Sequence, residues 1–66
     1  MAADRTFNKR VRVKIKYKDG VNRTVNDVVR IEYRDGMMFL VRLNDLYFCI
    51  DLATIDDYSI VFWFWT

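Results

Sequence analysis

The chain has no histidine, no proline, two glycines and one cysteine among its 66 residues. Each scarcity excludes something. Without His, and with Cys49 alone, no intrachain disulfide forms and no Cys/His zinc constellation exists. A thiol nucleophile at Cys49 would lack an imidazole base, so the expected role of that residue is a buried or half-buried small apolar side chain. The longest apolar run, IVFWFW at 60–65, falls well short of the roughly 18 residues a membrane helix requires. The N-terminal MAADRTFNKR has no apolar stretch of the secretory kind. A lone Cys and no signal segment lead to the expectation of a cytoplasmic protein.

What the chain does have is bulk. A domain of this length buries only about 60% of the surface its unfolded form exposes, so its core is thin. Aromatic residues at 17% enlarge that core, and self-association is the other route to stability. The formal net charge is only +2, but cations crowd residues 5–18, whereas Asp45, Asp51, Asp56 and Asp57 lie together further on.

The stretch KRVRVKIKYK alternates. Arg10, Arg12, Lys14, Lys16 and Lys18 share one parity, and Val11, Val13, Ile15 and Tyr17 share the other. A strand with this pattern carries five cations on one face over roughly 26 Å, at about 3.3 Å per residue. A similar segment then follows. VKIKYKDGVNRTV at 13–25 matches VRIEYRDGMMFLV at 29–41, each an alternating strand, an Asp-Gly turn and a second strand.

In the first copy a two-residue turn would set Lys16 against Arg23, whereas a three-residue loop pairs Tyr17 with Val21 and Val13 with Val25. Bulged loops are therefore expected at Lys18-Asp19-Gly20 and Arg34-Asp35-Gly36, the second pairing Tyr33 with Met37 and Ile31 with Phe39. The second hairpin, whose second face sets Val28, Met38 and Leu40 beside Arg30 and Glu32 and is at least half covered, is expected at the centre of the sheet and the first at its periphery. A further turn falls near Asn44-Asp45, then a strand alternating Leu46, Phe48, Ile50 and Leu52 with Tyr47, Cys49 and Asp51. Ala53–Asp57 reads as one helical turn, capped by Thr54 or Asp56, and Tyr58–Trp65 as the last strand. Residues 1–7 are expected to form a disordered tail. The fold expected is a single all-β domain, a small antiparallel barrel or sandwich of five or six strands.

A strand meander, one helical turn and a short last strand, as in FCIDLATIDDYSIV, resembles the SH3-like and Sm-like small barrels. The glycine, acidic and asparagine positions with which Sm-like proteins hold uridine have no counterpart at matching spacing. VRIEYRDGMMFLVR and YFCIDLATIDDYSI are similar in style to short all-β proteins of phages and prophages of Gram-positive bacteria. That resemblance implies a small accessory protein and carries no site residues.

Two surfaces compete as candidate sites. Val61, Trp63 and Trp65, with Met38 and Leu40 as neighbours, form an expected protein interface, because a terminal strand apolar on both faces cannot hide both in so thin a core. Arg10, Arg12, Lys14, Lys16 and Lys18 are the alternative, a track for a nucleic-acid backbone, although aromatics for stacking are missing from that parity. The plainer account of the ladder is a solvated face on a peripheral strand that discourages edge pairing. Asp56-Asp57 reads as a cap. Nothing points to a cofactor, a metal, a small-molecule substrate or catalysis, and a protein partner or a second copy is the partner expected.

Overall fold

The computed structural model describes residues 4–62. Five strands, β1 (Arg5–Tyr17), β2 (Asn22–Arg34), β3 (Met37–Arg42), β4 (Tyr47–Asp51) and β5 (Ile55–Phe62), form one antiparallel sheet in the order β4-β3-β2-β1-β5. Single 3-10 turns at Leu43–Asp45 and Leu52–Thr54 precede β4 and β5. The all-β expectation holds. The placement of the first hairpin does not: β1 lies between β2 and β5, and the edges are β4 and β5.

The first turn is the bulged loop its charges require. Tyr17 N–H donates to Val21 C=O at 2.9 Å, Gly20 N–H donates to Tyr17 C=O at 3.0 Å, and Gly20 takes φ 91°. Asp19 Oδ1 accepts from Val21 N–H, tying the loop to itself. Val13 faces Val25 and Lys16 faces Asn22, so Lys16 avoids Arg23.

The second turn departs from expectation. Arg34 pairs with Met37, and Asp35 and Gly36 both sit in the left-handed region at φ 51° and 73°, a two-residue type I′ turn. MMFLV is apolar on both parities, so either register puts apolar against apolar and the pattern cannot choose. The turn chooses instead, since Asp-Gly tolerates positive φ at both positions and its twist matches the flanking strands. Ile31 therefore faces Leu40 and Tyr33 faces Met38.

Bulges bend both long strands. On β2 the buried side chains of the core are Val25, Val28 and Ile31, a spacing of three, with Asp27 at φ 62° absorbing an extra residue. The curled sheet closes over one core of Val11, Val13, Ile15, Val25, Val28, Ile31, Met38, Leu40 and Ile50. β1 starts at Arg5, so residues 5–7 are strand and not tail: Phe7 packs on this core, and Asp4 Oδ1 accepts from Tyr33 N–H.

The turn before β5 also lies earlier than expected, at Leu52–Thr54, and its cap is Asp51, whose Oδ1 accepts from Ala53 N–H. Thr54 Oγ1 donates back to Asp51 C=O. Asp51 stands at the position preceding the turn, where a short acceptor reaches the free amides; Asp56 is already inside β5. Leu52 N–H donates to Gly36 C=O and Lys18 N–H to Thr54 C=O, so the turn is bonded to both hairpin loops.

Candidate interaction surfaces

Arg10, Arg12, Lys14 and Lys16 of the cationic ladder lie on the outer face of β1, Lys18 lies in the turn that follows, and neighbours offset much of the row. Arg10 Nε is 3.6 Å from Asp27 Oδ1, Arg12 Nε donates to Asn26 Oδ1 at 2.9 Å, and Lys16 Nζ is 3.9 Å from Asp56 Oδ2. Lys14 lies between Thr24 and Ser59. These exposed pairs contribute little stability, about 0–1 kcal/mol each, but they place carboxylates along the row. A shallow hollow of about 350 Å³ runs beside it, lined by Lys14, Lys16, Asn22, Arg23, Thr24 and Asp57. Since β1 is paired on both sides, the ladder does not guard an edge.

The residue that breaks the apolar pairing of the first hairpin has a role that alternation does not reveal. Arg23, opposite Ile15, lays its guanidinium 4.8 Å from the ring centroid of Phe48 on β4. Arg34 lies similarly over Phe39, at 4.7 Å. Beside Phe39 on the outer face, Arg30 Nε sits 2.7 Å from Glu32 Oε2, an ion pair without the alignment of a hydrogen bond.

Apolar side chains reach the surface in two places. At the end of β5, Val61 is 39% and Phe62 50% exposed, with Phe62 edge-on to Phe7 at 5.9 Å between centroids. Arg5 caps Phe7, and Lys9 and Arg10 complete the walls of a hollow of about 480 Å³. At the β3–β4 corner Leu43 is exposed, Leu46 is 54% exposed and Tyr47 60%. Sequence reasoning missed this corner because Leu46 reads as an inward position of β4.

Val61 is thus on the surface, opposite Arg12. Trp63 and Trp65 lie outside the described residues. Met38 and Leu40 do not belong to any surface: both are fully buried, because the type I′ turn rotates them inward. Cys49 is exposed rather than buried, since its parity on β4 points away from the core. Asp57 Oδ1 accepts from Tyr58 N–H, and Asp56 pairs with Lys16. Among the described residues no cluster of three or more His, Cys, Asp or Glu is placed to hold a metal ion, and no helix is long and apolar enough to cross a membrane.

No protein-family model, curated protein or solved structure matches the chain.

Proposed function

We propose that this chain is a non-enzymatic β interaction module that works through protein–protein contact, self-association included. The observation that carries the reading is the pair of exposed apolar corners, Val61 with Phe62 and Leu43 with Leu46 and Tyr47, on a domain whose own core is already filled. The strand order, with one helical turn before the last strand, suits the SH3-like resemblance and supports treating the chain as a binding scaffold. An exposed, unpaired Cys49 suits a reducing, cytoplasmic setting, and the phage-protein likeness suits an accessory role. The test is the solution mass by light scattering across protein concentrations, in low and moderate salt. Assemblies larger than one chain, reduced by Val61→Ser or by removing residues 63–66, support the reading. A monomer at every concentration overturns self-association, and the reading then rests on contact with a different protein alone.

A second reading has one observation in its favour. Phe7 and Phe62 stand beside Arg5, Lys9 and Arg10, so aromatic faces and cations do meet at one end of the ladder. Single-stranded nucleic acid is bound by that combination. Oligonucleotide affinity that falls steeply with salt, and falls further in Lys14→Gln and Phe62→Ala, would favour it.

A further inference from the structure

The two edges of the sheet differ in which side chains accompany their free backbone groups. In an antiparallel strand successive residues direct their N–H and C=O to alternate sides, and directly opposed residues either exchange both bonds or none. Arg42 N–H donates to Leu46 C=O, and Leu52 N–H to Gly36 C=O. The even-numbered residues of β4 therefore bond inward, toward β3, and Tyr47, Cys49 and Asp51 present their backbone to the free edge. The β3–β4 register runs unshifted from Met37–Asp51 to Val41–Tyr47, so no bulge interrupts that edge. The even residues Phe48 and Ile50 pack in the core, so the side chains of Tyr47, Cys49 and Asp51 occupy the outer face.

β5 has the opposite arrangement. Tyr17 bonds to β2 and Lys18 to the Thr54 carbonyl, so even residues of β1 point toward β5. Lys14 faces Ser59 and Arg12 faces Val61, which leaves Tyr58, Ile60 and Phe62 with outward backbone. The side chains of those residues lie on the core side, Ile60 against the core, Tyr58 on Tyr33 and Phe62 on Phe7. Pairing β4 of one copy with β5 of another would thus align the outer face of one sheet with the core face of the next. Pairing β4 with β4 keeps outer face beside outer face.

From this we infer that β4 is a homodimer edge, two copies joining antiparallel about a two-fold axis at Cys49. The inference rests on the association reading above and names a surface for it. In that register Cys49 faces Cys49 of the second copy, and Tyr47 faces Asp51, so no like charges are opposed. Of the usual devices against such pairing the strand carries one charge, Asp51 at its end; it has no Lys, no Arg, no Pro and no bulge. β5, by contrast, carries Asp56 and Asp57 straight after its first residue, beside a register shift. Leu46 and Tyr47, exposed where the two strands would end, are covered as the edges meet. A five-residue edge with these flanks makes a small interface, of the weak and reversible class.

The wild-type chain carries its own reporter. Directly opposed, mutually bonded residues have Cα atoms about 5.5 Å apart, so a short bismaleimide should join Cys49 to Cys49 in the native protein. Cys49→Lys sets two ammonium groups against each other and should weaken dimerisation at least about tenfold, with the fold kept because position 49 is exposed. Cys49→Ser should keep the dimer and lose the cross-link. If circular dichroism shows Cys49→Lys unfolded, Cys49→Asp opposes like charges with a smaller side chain, and wild-type cross-linking needs no variant. Oligomers that survive the charged variants and give no cross-link overturn the edge inference, yet leave association through the end of β5 standing. A chain monomeric at all concentrations overturns both.

Discussion

Tyr33 of β2 and Tyr58 of β5 meet hydroxyl to hydroxyl at 2.5 Å, although β1 lies between their strands. The contact bridges the curl of the sheet at one end of the core, as Arg23 on Phe48 does elsewhere. Burial, and then the bond to Tyr58, raise the Tyr33 phenol well above its ordinary value. A phenol raised in the folded state stabilises the fold fully below the ordinary value near 10 and loses that contribution as pH climbs through the folded value. Urea unfolding at about pH 8 and about pH 11 should therefore show a loss at high pH that shrinks in Tyr33→Phe. An equal loss in both proteins would refute the assignment.

Tyr58→Phe removes one partner of a half-buried bond and should cost about 0.5–1.5 kcal/mol at neutral pH, read as a lower urea midpoint at unchanged slope.

Gly20 and Gly36 separate backbone strain from crowding. Beyond the adjoining residues, no atom lies within 4 Å of where a Cβ would stand at either, so only the positive φ penalises a side chain. Gly36→Val should cost at least about 1–2 kcal/mol, and Gly36→Asn distinctly less, because Asn enters the left-handed region more readily. Equal melting temperatures for the two variants would refute this.

Met38→Ala and Leu40→Ala each empty a fully buried position and should cost about 2–5 kcal/mol. In a domain with so little core, such losses are a large share of total stability. Far-UV circular dichroism under heating will report partial or complete unfolding at lower temperature. A surface role for these residues would instead leave the melting temperature nearly unchanged.

Arg23→Ala should cost about 0.5–1 kcal/mol through the lost stack on Phe48, with Arg23→Lys recovering part of it. Were Arg23 merely solvated, both changes would be silent in the urea midpoint.

How legible all this is in the sequence depends on what sets each register. Along β1 strict alternation places Val11, Val13 and Ile15 inside and the cations outside, and the clash of Lys16 with Arg23 selects the first loop. MMFLV offers no alternation, so the second loop is settled by turn conformation, and Met38 and Leu40 move from surface to core. β2 is harder still. Val25, Val28 and Ile31 follow neither a two-residue nor a helical period, because the bulge at Asp27 is a property of the strand pair. The ladder was readable, but its offsets were not. Asp27 and Asp56 reach Arg10 and Lys16 only through strand pairing.

The 3-10 turn at Leu52–Thr54, bonded at one end to Gly36 and at the other toward Lys18, has a kinetic consequence. Both hairpins are short-range and can form early, whereas β1 and β5 close the longest loop in the sheet. The last strand can dock only onto loops that already exist, so its arrival reports completed assembly, and its release opens the way to unfolding. Amide hydrogens of Lys18 and Leu52 should then exchange together, ahead of those in the β1–β2 and β2–β3 ladders.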